Sequence, residues 1–181
     1  MKDNYDLKNL KKPKKINGKR KGNKYENDLS KLLNKRFNTT DFARTPGSGA
    51  FATTHKLPSH LMIYGDLITP LTFRFVIEAK RGYSSLNILD LINNTSVLHG
   101  FISQNLKDCA KCDKDSLVIF KQDRRKAMAI VTLSEPMNIE LKLILKQKDI
   151  PFLSFGDERN VLLLLDDILT LDDSFFFSQA L

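Results

Sequence analysis

Apolar residues at helical spacing predict three helices along this chain. In the segment GNKYENDLSKLLNKRF they alternate with Lys and Asn so that one side is apolar, which predicts an amphipathic helix of about four turns. A second, longer helix is predicted from about Ser85, because apolar residues recur on one side as far as Leu106. The segment MNIELKLILKQK predicts a third helix.

Runs rich in β-branched and aromatic residues predict strands between these helices. GDLIT and FRFVIEAK are separated by a turn-forming proline and predict an antiparallel hairpin. SLVIFK and KAMAIVTL are joined by a polar turn and predict a second strand pair, and DIPFLSF predicts a further strand. This order predicts an α/β fold with a mixed central β-sheet flanked by helices.

The strand FRFVIEAK carries the most informative pattern, because alternate side chains of a strand share a face. One face holds Arg74, Val76, Glu78 and Lys80, and the other holds Phe73, Phe75, Ile77 and Ala79. The predicted hairpin brings Asp66, which follows Gly65, beside Glu78. Two carboxylates and a lysine at one place suit a hard divalent cation with a water beside it, a common arrangement for cutting phosphodiesters. A nuclease is therefore the leading hypothesis.

Each of these side chains also has an ordinary structural interpretation. Asp66 could cap a turn. Glu78 could form a surface ion pair with Lys80 or Arg74, although a charged residue in so apolar a strand needs a partner or a metal to offset its desolvation. Glu26 is compatible with the general preference for acidic residues in the first turn of a helix. The sequence leaves these alternatives open.

The positive charge is concentrated at the start of the chain. The 181 residues carry a net charge of +8, and residues 1–21 hold nine Lys or Arg against two Asp, a net of seven. We predict a flexible basic arm at 1–21, which contacts nucleic acid, and a single nuclease-like domain at 22–181. Within that domain we expect core motifs at 22–133 and a C-terminal elaboration at 134–181. A solubilising tail and a nuclear-localisation cluster are the alternatives for the arm.

The remaining features narrow the class of protein. No apolar segment follows the basic stretch as in a signal peptide, and no apolar run has the ~20 residues of a membrane helix. We expect a cytoplasmic, nucleoid-associated protein, or a nuclear one in a eukaryotic host.

Cys109 and Cys112 are the only cysteines. They are expected to be reduced thiols at a helix end, with no zinc and no disulfide.

Several segments, taken in order, resemble the PD-(D/E)XK nuclease superfamily, and within it the Holliday junction resolvases of archaea and phages. KRKGNKYENDL is similar to that family's first helix, FARTPGSGA to its Arg and Ser-Gly segment, and VIEAKRG to its catalytic strand. The resemblance runs from about Lys19 to Ile130. Gly65 stands where the motif has proline.

The resemblance implies a restriction-endonuclease-like core and a set of site residues. Asp66, Glu78 and the backbone carbonyl of Ala79 would bind Mg²⁺, for which Mn²⁺ could substitute. Glu26 would complete the site directly or through a water, and Lys80 would orient or deprotonate the attacking water. The residues expected to contact nucleic acid are Lys19, Arg20, Lys21, Arg44, Ser48, Arg81 and Gln104.

The function expected from this resemblance is that of a Mg²⁺-dependent, structure-selective endonuclease that resolves four-way DNA junctions as a homodimer, since paired nicks suit two symmetric sites. Another nuclease of the same superfamily, of flap, single-strand or restriction type, is the first alternative. A catalytically silent nucleic-acid-binding protein is the second. Arg124, Arg125 and Lys126 form a polar turn that is either a solvated loop or a further phosphate contact.

Overall fold

The computed structural model describes residues 18–46, 58, 60–91, 96–156 and 158–178. The helices are α1 (Gly18–Phe37), α2 (Val97–Cys109), α3 (Glu135–Gln147), α4 (Leu165–Ile168) and α5 (Asp173–Phe176), with a 3-10 helix at Ile88–Leu91. The strands are β1 (Ala43–Arg44), β2 (Leu61–Tyr64), β3 (Leu67–Pro70), β4 (Phe75–Arg81), β5 (Asp115–Lys121), β6 (Met128–Thr132), β7 (Leu153–Phe155) and β8 (Asn160–Leu164).

The strands form two sheets. The larger sheet has the order β4-β5-β6-β8-β7, in which β4 and β5 are parallel and the other neighbours are antiparallel. The smaller sheet has the order β1-β3-β2 and is antiparallel. A mixed central sheet with helices around it confirms the α/β class, and the predicted β5–β6 pair and the helix α3 are present.

The predicted hairpin between residues 65–69 and 73–80 is wrong. β3 is the middle strand of the small sheet, so both of its edges are already paired and neither can accept β4. β4 pairs instead with β5, and the Gly65-Asp66 turn connects β2 to β3. The only ladder contact from this turn to β4 in the described residues is an isolated parallel bridge between Gly65 and Ile77.

Two predicted helix boundaries also need correction. α1 begins at Gly18, so the last four residues assigned to the flexible arm are helical and Glu26 lies beyond the first turn. The long helix predicted from Ser85 is instead a 3-10 helix followed by α2, whose first turn is capped when Ser96 accepts a hydrogen bond from the Leu98 N–H at 3.2 Å. The rest of the predicted arm, residues 1–17, lies outside the described residues.

The main core lies between the large sheet and the helices α1 and α3, and the smaller core lies under α2. The last elements of the chain belong to the main core: β8 is inside the large sheet, and Phe176 of α5 is fully buried against Phe73 and Phe75. The residues predicted to form a C-terminal elaboration, 134–181, thus contribute strands to the central sheet and side chains to the main core. Within the part of the chain that the structure describes, no helix is long and apolar enough to cross a membrane.

Arg36 connects α1 to the C-terminal segment. Its guanidinium donates to the carbonyls of Leu169 and Leu171, both at 2.6 Å, and to the carboxylate of Asp173 at 2.7 Å. Arg36→Ala should lower the free energy of unfolding by about 2 kcal/mol, because two partly buried carbonyls lose a charged donor. Chemical denaturation measures this change, with the exposed neighbour Lys35→Ala as the control. A loss no larger than that of the control would contradict the connecting role.

Candidate active site

The candidate site is built around Glu78 in the middle of β4. The side chains of Phe75, Ile77 and Ala79 enter the main core, as the alternation predicts. The opposite face is not open, because α2 covers it and Glu78 is only 1% exposed. The Glu78 carboxyl group is thus buried between the large sheet and α2.

Asp66 reaches β4 from the turn between β2 and β3. Its backbone N–H donates to the carbonyl of Ile77 at 2.8 Å, and its Oδ2 accepts the backbone N–H of Ala79 at 2.8 Å. Asp66 and Glu78 are therefore brought together, although the geometry is not that of a hairpin. Because the N–H and C=O of a strand residue point to the same edge, the Ala79 carbonyl also faces the side from which Asp66 approaches.

Gly65 explains why the chain departs from the proline of the family motif. Its φ is +69°, a left-handed conformation that proline cannot adopt because its ring fixes φ near −65°. A Cβ at this position would lie 2.4 Å from the carbonyl oxygen of Ile77 and 2.9 Å from Cγ1 of Val76. Only glycine allows the turn to approach β4 closely enough for Asp66 to bond it.

Lys80 lies beside both carboxylates. Its ammonium forms an ion pair with Oε1 of Glu78 and lies 3.5 Å from Oδ2 of Asp66. The same ammonium lies 5.6 Å from the centroid of the Phe101 ring on α2, within the range of a cation–π contact. Asp66, Glu78 and Lys80 thus form one connected group at the outer edge of β4.

Burial and charge repulsion shape the protonation of this group. Burial, with a further contribution from the neighbouring Asp66, raises the pKa of Glu78 to about 7 against the opposing effect of Lys80. Burial by itself would lower the pKa of Lys80, but its contacts with Glu78 and Asp66 outweigh that effect and the pKa is raised. Lys80 is therefore a stable cation, whereas the deprotonated form of Glu78 would be strongly stabilised by a further positive charge.

The residues at this site fit a divalent cation. Two carboxylates and a backbone carbonyl are the oxygen donors that Mg²⁺ takes from proteins, with waters completing its coordination. The described part of the chain contains no group of three or more His, Cys, Asp or Glu side chains placed to hold a metal. Glu26 instead accepts a hydrogen bond from Nε of Arg44 at 2.6 Å. A role for Glu26 as a metal ligand stays a prediction.

The residues predicted to contact DNA have different environments. Lys19 and Arg20 are exposed on α1, whereas Lys21 pairs with Asp123. Arg44 lies on β1 and is engaged with Glu26, and the adjacent Thr45 N–H donates to the Asp66 carbonyl at 2.9 Å. Arg81 follows Lys80 and lies over the ring of Tyr25 at 5.6 Å. Ser48 lies outside the described residues.

Gln104, which is predicted to contact nucleic acid, and its neighbour Asn105 lie in different environments. Gln104 is exposed on α2, whereas Asn105 is fully buried and donates to the Val76 carbonyl at 3.0 Å and to the Ser116 hydroxyl at 2.9 Å. Asn105 therefore ties α2 to β4 and β5 at Val76, two residues before Glu78. The apolar stripe of α2 is the sequence signal that could have identified Asn105. Leu106 is predicted to be on the inward side of this helix, but Asn105 is buried there and Leu106 is exposed.

Cys109 and Cys112, at and just beyond the end of α2, are both free thiols. Burial raises the pKa of the Cys109 thiol to about 12, and burial also raises that of Cys112. Both side chains are therefore neutral thiols near pH 7, a state with little tendency to act as a nucleophile.

A comparison with family models bears directly on this arrangement. The model described as phage putative PDDEXK endonuclease matches residues 17–170, which is most of the chain. The chain belongs to this family. Phage PDDEXK endonuclease membership places it in the PD-(D/E)XK superfamily, confirms the superfamily resemblance and agrees with a restriction-endonuclease-like core. Searches of curated proteins and of solved structures gave no match.

The family also gives the coarse activity. Members are described as endonucleases, so the chain is assigned to the nucleases, and nucleases of this superfamily generally use divalent metals. The matched region begins one residue before α1 and ends after α4, so it includes Asp66, Glu78 and Lys80.

Proposed function

We propose that this phage-type PDDEXK endonuclease cuts DNA in a Mg²⁺-dependent reaction, prefers four-way junctions and acts as a homodimer. The observation that supports the metal-dependent activity is the approach of Asp66 to β4, where the carboxylates of Asp66 and Glu78 both lie beside Lys80. The preference for junctions rests on the order of motifs that resembles junction resolvases. The homodimer rests on the need for two symmetric nicks.

The chain's own groups divide the work in this proposal. Asp66, Glu78 and the Ala79 carbonyl would hold the divalent cation, which polarises the phosphate and lowers the pKa of a bound water. Lys80 would offset the negative charge that develops on the scissile phosphate. Because its pKa is raised, Lys80 holds its proton near pH 7, which favours orienting the water over accepting its proton.

The test of this function is cleavage of labelled DNA by the purified chain. A four-way junction, a linear duplex, a flap and a single strand should be compared in Mg²⁺, in Mn²⁺ and in EDTA. We expect cleavage in either metal, none in EDTA, and the fastest cleavage on the junction. Cleavage in EDTA would refute metal dependence, and equal rates on all four substrates would refute structure selectivity. Tight DNA binding without any cleavage would favour a silent binding protein.

Lys80 gives a sharper prediction within this function. Lys80→Ala should slow cleavage by roughly a hundredfold, because it removes a cation from the place where phosphate charge develops. Lys80→Arg keeps the charge at a different geometry and should retain part of the rate. Cleavage measured across a Mg²⁺ titration distinguishes the roles. Full rescue of Lys80→Ala by high Mg²⁺ would show that Lys80 supports metal binding and does not act on the phosphate.

A further inference from the structure

The turn between β5 and β6, residues 122–127, lies at the same end of the large sheet as the candidate site. Lys80 and Arg81 at the end of β4 pair with Phe120 and Lys121 at the end of β5, one strand spacing (~4.8 Å) away. The chain then turns at once into residues 122–127. This turn, called here the hairpin tip, is therefore next to the catalytic edge of β4.

The hairpin tip carries three consecutive exposed cations, Arg124, Arg125 and Lys126. None of the three takes part in an ion pair with any residue that the structure describes. The one acid in the tip, Asp123, is neutralised by its ion pair with Lys21 of α1 and lies 4.0 Å from Arg81. The tip thus presents an uncompensated positive charge to solvent.

The tip is also held in place from both sides. Asp123 ties it to α1 through Lys21, and Gln122 donates to the carbonyls of Tyr83 and Leu86 at 3.2 and 2.7 Å on the other side. Arg124 has a φ of +60°, so the chain turns sharply at this residue. A fixed tip loses little conformational freedom when it binds a ligand, which favours a binding role over a solvated loop.

Two grooves flank the hairpin tip, and the three cations line both of them. The first, of about 570 Å³, runs between the tip and residues 86–88 on the face of the sheet that holds Lys80. The second, of about 560 Å³, runs between the tip and α1 and is also lined by Arg81 and Lys121. The first groove has no acidic residue in its lining, whereas Asp28 and Asp166 face the five cations of the second. The Nε of Arg81 has no hydrogen-bond partner in the described structure.

From this charge and placement we propose that the hairpin tip binds the phosphate backbone of DNA next to the scissile phosphate. Arg124, Arg125 and Lys126 each contact a phosphate, with Arg81 and Lys121 at the base of the tip. These contacts are to the DNA backbone and therefore do not distinguish between base sequences. They fix where the DNA lies relative to Lys80. This inference deepens the proposed function and rests on it for the identity of the polyanion as DNA.

The experiment measures how the affinity for a linear duplex depends on salt, in EDTA so that no strand is cut. The test variant is Arg124→Gln, Arg125→Gln, Lys126→Gln, which keeps polar side chains but removes their positive charge. The slope of log affinity against log salt should become shallower by about 2.7, because each phosphate contact adds about 0.9. The charge-retaining variant Arg124→Lys, Arg125→Lys, Lys126→Arg should keep the wild-type slope.

A matched control removes three exposed cations elsewhere, with Lys146→Gln, Lys148→Gln and Arg159→Gln. Arg159 lies in the β7–β8 turn, at the opposite end of the sheet. This variant should leave the slope near that of wild type. An unchanged slope in the test variant, or an equal change in the control, would overturn the proposal. The two proposals can fail separately. If the wild-type protein binds with the expected salt dependence but cuts no substrate in Mg²⁺, the proposed function is refuted while the phosphate contact of the hairpin tip is still supported.

Discussion

Asp66→Asn and Glu78→Gln should each reduce DNA cleavage by at least a thousandfold, about 4 kcal/mol in the barrier, while DNA binding persists. Each substitution conserves shape but removes one of the two carboxylates placed to hold the cation. An amide is a weak ligand for a hard cation, so neither the water nor the phosphate is activated. Single-turnover cleavage of a four-way junction measures the rate, and gel mobility in EDTA measures binding.

The matched control for these variants is Glu140→Gln, an exposed acid on α3. It removes the same charge from the surface and should cut at the wild-type rate. If either site variant cuts within about tenfold of wild type, a loss below ~1.4 kcal/mol, that residue is not a metal ligand. Loss of DNA binding together with cleavage would instead indicate that the substitution disturbs the fold.

In the absence of metal, Glu78→Gln should stabilise the protein at pH 8 by about 3 kcal/mol. The pKa of Glu78 is raised from its ordinary value of 4.5 to about 7 in the folded protein, mainly by burial. Between these values the folded state keeps a proton that the unfolded chain has lost, so the free energy of unfolding falls as pH rises from 4.5 to 7. Each unit corresponds to about 1.36 kcal/mol, and above pH 7 this contribution is constant.

Chemical denaturation in EDTA at pH 4.5, 6 and 8 measures this effect. The difference between Glu78→Gln and wild type should be small at pH 4.5 and reach its full size by pH 8. The matched control is again Glu140→Gln, whose side chain is exposed. A difference that is the same at all three values would mean that the carboxyl of Glu78 is not held neutral by burial. Glu78→Gln, which is expected to lose nearly all cleavage activity, is thus expected to be more stable than the wild type at pH 8.

The chemistry of the site could be predicted from the sequence, whereas its geometry could not. Glu78 and Lys80 share a face because a strand alternates, and that rule needs only neighbouring residues. The partner of β4 depends on which strand edges remain free in three dimensions. β3 is paired on both sides, so Asp66 reaches β4 by a single bridge at Gly65 and not through a hairpin. No local pattern shows that an edge is occupied.

Errors at single residues have the same origin. Gln104 and Asn105 are consecutive residues, about 100° apart around the helix axis. The weak apolar stripe of α2 does not determine which of the two faces the sheet. The pairing of Glu26 with Arg44 joins residues 18 positions apart, through a strand of only two residues. Such contacts arise from the approach of α1 to β1, which depends on the packing of both against the rest of the fold.

The place of the chain's last elements has a consequence for synthesis on the ribosome. The N–H of Arg74, just before β4, donates to the carbonyl of Phe176 at 2.8 Å, and Phe73 bridges to Phe177. While Phe176 and Phe177 are still inside the ribosome, Phe73 and Phe75 lack their contact with Phe176. The strand that carries Glu78 and Lys80 is therefore fully packed only after residue 177 has emerged. The site group of Asp66, Glu78 and Lys80 would therefore reach its final packing only after synthesis has passed residue 177.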